Sequence, residues 1–185
     1  MLDLKGTIEI RTKRLVLRRF TLEDMWDAFQ NWGSDEEVTK YLTWKAYGRV
    51  EDVNEYYETK VLPNYANNYF CNWAIEYNNE VIGAIDARID EPNFMAHIGY
   101  CLGKKWWGNG IMPEALMAVI DYLFGCGIVR IEAYHAVENP KSGRVMEKCG
   151  MEFEGVLRKR AKDGYGKFHD AKMYSIVCEG NMDNI

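Results

Sequence analysis

The segment from Gly108 to Gly125 is the feature that most restricts how this chain can fold. Apolar residues recur at helical spacing, at Met112, Ala115, Leu116, Val119, Ile120 and Leu123. A glycine turn and Pro113 are typical of a helix start, and Gly125 of a helix end. The flanking residues 95–102 and 128–136 have strand-like patterns. The segment therefore predicts a helical crossover between two strands of one sheet.

The rest of the chain alternates in the same way. Strand-like patterns lie at 14–20, 69–77, 80–90, 95–102, 128–136, 151–161 and 168–178, and helical patterns at 22–32, 49–66, about 112–125 and 139–148. Asn78-Asn79 indicates a hairpin, after which Val81, Gly83, Ile85, Ala87 and Ile89 are expected to share one face of a strand. We predict an α/β (α+β) fold with a mixed, mostly antiparallel sheet of about seven strands and about four helices.

Length and charge limit what such a fold can do. A chain of 185 residues can bury about 70% of its surface, which predicts one domain over 1–185 with a core at about 8–178. Its net charge of −5 disfavours nucleic acid and anionic membranes as partners. No apolar run approaches the roughly 18 residues of a membrane span, and the start lacks a signal-peptide pattern. We expect a cytoplasmic protein.

The five cysteines indicate neither a metal site nor a disulfide framework. They are Cys71, Cys101, Cys126, Cys149 and Cys178, widely separated and without a Cys-x-x-Cys pair. We therefore expect reduced thiols that pack as small apolar groups, and no bound metal.

The glycine turn, residues 103–113, is the strongest candidate for a ligand site. Gly108 and Gly110 permit close approach to the backbone, and the N–H groups of the following helix start favour an anion. The turn lacks the Gly-Lys-Ser/Thr of a P-loop and the third glycine of a dinucleotide fingerprint. It predicts a phosphate or pyrophosphate site, with a purely structural turn as the alternative.

Four patterns occur together along the chain. They are Thr12-x-Arg14-Leu15-x-Leu17-Arg18, Lys105-x-x-Gly108-x-Gly110, Asn139-x-x-Ser142 and Gly166-x-x-x-Asp170-x-x-x-Tyr174-Ser175. In this order they resemble the GNAT superfamily of N-acetyltransferases, in the branch of the ribosomal-protein N-acetyltransferases (RimJ/RimL-type). The resemblance covers about residues 8–178. It departs from the family's Gln/Arg-x-x-Gly-x-Gly/Ala signature at Lys105.

The resemblance implies a single GNAT-like domain that uses acetyl-CoA as acetyl donor. In this family the sheet splays between the fourth and fifth strands, here about 95–102 and 128–136, and the pantetheine arm lies in the gap. The implied cofactor-binding residues are Tyr100, Cys101, Leu102, Lys105, Trp107, Gly108, Asn109, Gly110, Ile111, Met112, Asn139 and Ser142. No metal is implied.

The resemblance also implies direct attack of an amine on the thioester. Many family members have a tyrosine where this chain has Met146, which cannot donate a proton. Ser142 is then the candidate acid, with a local role at the helix start as the alternative. His97 is the candidate base, and the alternative is a histidine that points away from the cleft.

The predicted function is acetyl-CoA-dependent N-acetylation of a primary amine, with a protein N-terminus as acceptor. One alternative acceptor is a small amine such as an amino acid, a polyamine or an aminoglycoside. An alternative of another class is a catalytically silent acyl-CoA sensor. The sequence leaves open whether the protein is a monomer or a homodimer. It also leaves open whether Trp32, Trp44, Tyr47, Tyr56 and Tyr57 form a lid, a core or a dimer surface.

Overall fold

The computed structural model describes residues 2–179, and its centre is one eight-stranded sheet. The strands are β1 (Ile10–Arg11), β2 (Leu15–Arg18), β3 (Cys71–Tyr77), β4 (Glu80–Asp90), β5 (Met95–Leu102), β6 (Arg130–Ala136), β7 (Glu152–Lys162) and β8 (Phe168–Val177). Their order in the sheet is β1-β2-β3-β4-β5-β6-β8-β7, and only β5 and β6 are parallel. The predicted mixed, mostly antiparallel sheet is confirmed. β1 is the additional strand, since two residues are too few to show a periodicity.

Five α-helices accompany the sheet. They are α1 (Met25–Ala28), α2 (Glu36–Thr39), α3 (Val50–Tyr56), α4 (Ile111–Gly125) and α5 (Pro140–Lys148). A 3₁₀ turn precedes α1 and a π-helical segment follows it, so that residues 22–33 form one helical stretch. The stretch after α3 continues as π and 3₁₀ segments through Ala66. α2 is a single turn that the sequence pattern did not predict.

The two faces of the sheet carry different helices. On the back face, α4 buries Leu116, Val119, Ile120 and Leu123 against the larger core cluster, each worth about 2 kcal/mol. The front face carries the smaller cluster, which α1, α3 and their extensions form with Ala74 and Val81. The core on the back face thus supports α4, the helix that connects β5 and β6. The helices on the front face cover only part of the sheet.

The core begins earlier in the chain than predicted. Leu2 and Leu4 are 8% and 5% exposed and belong to the back-face cluster, so the expected start at about residue 8 is wrong. The residues after 179, which the sequence analysis placed beyond the core, lie outside the described part of the chain.

The β3–β4 hairpin shows one confirmed prediction and one correction. Asn78 and Asn79 have φ of 53° and 61°, as a two-residue hairpin turn requires. The register then shifts, because Ile75 pairs with Gly83 and Glu76 pairs with Val81. This bulge turns Val81 to the front cluster and Ile82 to the back cluster. The prediction that Val81 shares a face with Ile85 is therefore wrong.

The sheet parts between β5 and β6. The two strands pair only from Met95–Arg130 to His97–Glu132. Beyond His97, β5 remains paired with β4 and β6 remains paired with β8. The predicted splay is confirmed, and the gap opens toward the glycine turn at the carboxyl end of β5.

Candidate functional site

The edges of the gap present backbone groups that the sheet itself does not pair. The Gly103 N–H donates to the Ile82 C=O over 2.8 Å, which fixes the phase of the β4–β5 ladder. In an antiparallel ladder the alternate residues turn their N–H and C=O outward, so Tyr100 and Leu102 face the gap. Cys101 instead turns its backbone toward β4. The expected backbone contribution to the gap is thus carried by Tyr100 and Leu102, and not by Cys101.

The opposite edge of the gap follows from the same rule. The Cys178 N–H donates to the Val129 C=O over 2.9 Å, so alternate residues of β6 face away from β8. Tyr134 is therefore the first residue beyond the last β5–β6 pair whose backbone faces the gap. The gap-facing N–H and C=O groups of the two edges are not paired within the sheet, and they suit a ligand that has its own hydrogen-bond donors and acceptors.

The glycine turn leads from the gap into α4. Gly108 and Gly110 have φ of +80° and +72°, a left-handed conformation that is costly for other residues. No atom lies within 4 Å of where a Cβ of Gly108 would be. Gly110 is the N-cap of α4 and supplies no side chain to the first N–H groups of the helix. This open helix start is suited to an anion.

Arg14 supports the turn from the side. Its Nη1 donates to the Asn109 C=O over 3.0 Å, and its Nε donates to Glu114 Oε2 over 2.6 Å. Arg14 belongs to one of the patterns on which the resemblance rests, but its role cannot be read from the pattern itself. The structure supplies one, because this pair ties β2 to the first turn of α4.

A cleft of about 660 Å³ joins the gap to the glycine turn. The predicted residues that line it are Tyr100, Cys101, Leu102, Trp107, Gly108, Gly110, Ile111, Met112, Asn139 and Ser142. The other two predicted residues do not line it. Lys105 lies with its Nζ 4.7 Å from the Trp106 ring and 3.9 Å from Glu80 Oε2, and Asn109 is held through its carbonyl by Arg14.

Cations from α5 extend the cleft wall. Lys141, Arg144 and Lys148 line it, and the Lys141 Nζ lies 4.4 Å from the Trp107 ring. The Trp107 Nε1–H donates to the Leu102 C=O over 2.7 Å. Trp107 thus fixes the glycine turn against β5 and also forms part of the wall.

Ser142 meets a tyrosine hydroxyl that the sequence analysis did not assign to catalysis. The Tyr100 hydroxyl lies 2.9 Å from Ser142 Oγ and 3.0 Å from the Ser142 carbonyl oxygen. Burial raises the pKa of Tyr100, so its hydroxyl stays protonated. Met146, where the tyrosine is absent, is buried on α5. A second donor is therefore present at Ser142, but from β5.

His97 lies on the front face, outside the cleft. Its ring centroid is 4.9 Å from that of Tyr134. Burial lowers the pKa of His97 to about 4, with further lowering by Arg88 and Arg160. The imidazole is therefore neutral at neutral pH and is a weak base.

Asp86 is a second titratable group on the front face, and the sequence analysis missed it. It pairs across strands with Gly99, and a Cβ on Gly99 would lie 3.0 Å from Asp86 Oδ1. Burial raises the pKa of Asp86 to about 6, and its carboxylate accepts no hydrogen bond from another described side chain. The available signal was an acidic residue between the apolar residues Ile85 and Ala87.

The aromatic residues divide between core and surface. Trp32 and Tyr57 are buried in the front-face cluster, which is rich in aromatic rings. Trp44 stacks on Tyr47 with centroids 5.3 Å apart, and both pack against that cluster. Tyr56 is 46% exposed. Tyr56 and Tyr47 border the region of Asp86 and Cys101.

The thiols and possible metal ligands add no further chemistry. All five cysteines are free, and burial raises the pKa of Cys101 to about 12. Within residues 2–179, no group of three or more His, Cys, Asp or Glu side chains is arranged to hold a metal ion. No helix in that part of the chain is long and apolar enough to cross a membrane.

Comparison with known proteins agrees with this geometry. A model of the Acetyltransferase (GNAT) domain matches residues 14–152. The uncharacterized N-acetyltransferase p20 of Bacillus licheniformis is 34% identical over 171 residues, which cover 90% of this chain and 94% of that protein. The ribosomal-protein-serine acetyltransferase of Escherichia coli (strain K12) is 33% identical over 103 residues, 55% of this chain and 57% of that protein.

A solved structure extends the comparison to the whole fold. The microcin C7 self immunity acetyltransferase MccE, in complex with acetyl-CoA and AMP, superposes with a TM-score of 0.81 at 26% identity. The match covers 90% of this chain and 94% of that one. The resemblance predicted from the four sequence patterns is confirmed.

Proposed function

Because the chain belongs to the GNAT acetyltransferase family, we propose that it transfers an acetyl group from acetyl-CoA directly to a primary amine in a ternary complex. Enzymes of this family use acetyl-CoA, which supplies an activated thioester carbonyl. The observation that carries the proposal is the gap between β5 and β6, which leads from the glycine turn to the front face. It gives the donor and the acceptor separate routes to one point.

The residues of the cleft supply complementary contacts for the donor. The open start of α4 and the glycines at 108 and 110 suit the pyrophosphate. The outward-facing peptide groups of Tyr100 and the Leu102 N–H suit the amides of the pantetheine arm, with Asn139 on the other wall. The Tyr100 N–H is also a donor for the thioester oxygen, where negative charge develops during attack.

Ser142 is the proposed acid. As the amine nitrogen forms its bond to the acetyl carbon, the carbon–sulfur bond breaks and the sulfur takes a proton from Ser142 Oγ. The nitrogen loses its second proton as the amide forms, and this proton returns through water to the Ser142–Tyr100 pair. The Tyr100 hydroxyl, 2.9 Å from that oxygen, stabilises the charge left on Ser142 and can replace its proton. This arrangement would serve in place of the tyrosine that is absent at Met146.

Asp86 is the proposed base. A protein N-terminus has a pKa of about 8 and an alkylamine one of about 10.4, so at neutral pH both are mostly ammonium and must lose a proton before attack. Asp86 pairs with Gly99 of β5, and the absence of a side chain on Gly99 leaves room for the Asp86 carboxylate on the front face beside the gap. The carboxylate attracts the ammonium and takes its proton directly or through water. His97, the residue predicted from the sequence, is retained as the competing candidate.

The acceptor proposed first is a protein N-terminus. Its support is the similarity to an enzyme named as a ribosomal-protein-serine acetyltransferase, over 55% of this chain. A small amine is the second candidate, and its support is the likeness to MccE, whose complex contains AMP beside acetyl-CoA. Both acceptors react through the same ternary complex.

Initial rates of thiol release, measured while acetyl-CoA and amine concentrations are both varied, test the proposal. The panel contains N-terminal peptides, amino acids, polyamines and aminoglycosides. Double-reciprocal lines should intersect, because both substrates bind before the chemical step. Parallel lines would contradict direct transfer, and tight CoA binding without turnover on any amine would support the sensor alternative.

Two variants in the same assay test the acid. Ser142→Ala should lower kcat by about 10²-fold, because a positioned proton donor is lost. Tyr100→Phe should lower it less, since Ser142 remains. Unchanged CoA affinity in both variants would show that the cleft is intact, and an unchanged kcat in Ser142→Ala would remove Ser142 from the mechanism.

A further inference from the structure

A row of four side chains crosses the front face where the gap closes. Arg88 and His97 are cross-strand neighbours on β4 and β5, so their side chains share a face. The His97 ring lies 4.9 Å from Tyr134 on β6. The Arg160 Cζ, on β7, lies 4.5 Å from the centroid of the same tyrosine ring. Two guanidinium groups therefore flank the apex of the gap.

These two arginines form no close ion pair with another described residue. Arg88 and Arg160 are both exposed, and neither forms an ion pair with any residue of 2–179. Arg18 and Arg130, by contrast, each pair with two carboxylates. Of the carboxylates near Arg88 and Arg160, Glu132 is occupied by Arg130, Asp170 accepts the Lys159 N–H, and Asp86 lies near Arg88 without a close ion pair. A local positive field thus remains in a chain of net charge −5.

The row also lies close to the proposed point of reaction. Asp86 precedes Arg88 by two positions on β4, about 7 Å along the strand and on the same face. Tyr134 holds the Arg160 guanidinium by cation–π contact, which leaves the N–H groups of that guanidinium free to bind an anion. The front face therefore carries the Asp86 carboxylate, which can bind an amine. The Arg88 and Arg160 guanidinium groups lie near it and can bind an anion.

We propose that Arg88 and Arg160 form an anion site of the acceptor pocket, so that the acceptor is an amine carrying a carboxylate or phosphate a few bonds from its nitrogen. This inference rests on the proposed N-acetylation at the same gap. The anion has three possible sources with the same chemistry: the carboxylate of a free amino acid, a phosphate ester, or an acidic side chain near a protein N-terminus.

A measurement without turnover tests the site itself. The chain has three histidines, so the His97 ring protons can be followed by NMR as pH is varied. Inorganic phosphate, compared with chloride at equal ionic strength, should raise the pKa of His97 by about 0.5 or more, because it offsets the two arginines. The Arg88→Gln/Arg160→Gln double variant should lose the response. Arg11→Gln, an exposed arginine paired with Glu9, should keep it.

Matched acceptors then identify the source of the anion. Each pair differs in one charge: an amino acid and its amide, an amino alcohol phosphate ester and the free alcohol, and a peptide with Asp or Asn at its second position. In the pair that matches the natural acceptor, kcat/KM should be about tenfold or more higher for the anionic member. The double variant should lose this preference mainly through KM, and Arg11→Gln should retain it.

The outcomes separate this inference from the proposed function. An equal His97 pKa in phosphate and chloride would overturn the anion site, as would equal use of charged and neutral acceptors by an active enzyme. A phosphate response without turnover on any amine would support the anion site while contradicting the proposed N-acetylation.

Discussion

At the scale of single residues, burial decides which front-face group can act as a base. Asp86 and His97 lie on neighbouring strands, and burial shifts their pKa values in opposite directions, to about 6 and about 4. Burial disfavours the charged form in both cases. The carboxylate becomes a stronger base and the imidazole becomes a weaker one.

Asp86→Asn is expected to lower activity and raise stability. The wild-type kcat/KM should fall as pH drops below about 6, because Asp86 becomes protonated. The variant should lose this dependence and about 10²-fold in kcat. The pKa of Asp86 in the folded wild-type protein lies above its ordinary value of 3.8. The folded state therefore loses stability as pH rises through about 6 and Asp86 becomes charged. At pH 8 the free energy of unfolding should therefore be about 1–2 kcal/mol higher for the variant than for the wild type.

His97→Gln serves as the matched variant, measured by the same pH profiles of thiol release and by urea unfolding. It should keep the fall in kcat/KM near pH 6. If His97→Gln loses that fall and Asp86→Asn keeps it, the assignment of the base is reversed.

The sequence pattern indicated Ser142 as a candidate residue, but it did not indicate which side chains surround the candidate residues in the fold. Ser142 was found from its pattern, while its partner Tyr100 was assigned only a backbone role. The reason is that Tyr100 and Ser142 are 42 positions apart and meet only when β5 and α5 pack together. Asp86 was missed because nothing in a strand pattern tells whether a carboxylate faces solvent or a gap.

At the scale of elements, the glycine turn combines backbone strain with ligand access. Gly110→Val should weaken CoA binding about tenfold or more, because a side chain at the start of α4 obstructs the phosphate. It should also cost about 1–2 kcal/mol of stability, since φ is +72°. Isothermal titration with CoA and urea unfolding measure the two effects.

Gly127→Val is the control for strain alone. Gly127 has φ of +92° and follows α4, at the end of the helix away from the cleft. It should show the same loss of stability with wild-type CoA affinity. Equal CoA affinity in both variants would contradict the phosphate role of the turn.

Element boundaries were predictable where local chemistry sets them. α4 begins after Gly110 and ends at Gly125, as predicted, because a glycine start and stop act within a few residues. The bulge that reverses Val81 was not predictable. A register shift depends on the neighbouring strand, and the residues of β4 alone are compatible with unbroken alternation.

At the scale of the whole molecule, the parted strands are expected to couple the stability of the fold to CoA binding. CoA at 100 times its Kd should stabilise the folded state by about 2.7 kcal/mol. For a domain of this size, that corresponds to a rise in Tm of about 5–10 °C. In hydrogen exchange, the Tyr100 and Leu102 amides should gain protection on CoA binding because they face the gap.

The Cys101 amide is the internal control for this measurement. It faces β4 and should gain less protection than the Tyr100 and Leu102 amides, because it is hydrogen-bonded within the sheet both with and without CoA. Equal gains at all three amides would indicate a general stabilisation of β5 and would contradict the proposed position of the pantetheine arm.

The amino-acid sequence was sufficient to predict the family, most of the strands and helices, and the position of the glycine turn, because these depend on periodicity and on glycines that act locally. The tertiary structure was needed to show which peptide groups face the gap, which carboxylate lies beside Gly99, and which arginines form no ion pair within residues 2–179. These properties arise between strands that are distant in sequence, where register, burial and charge are fixed by packing.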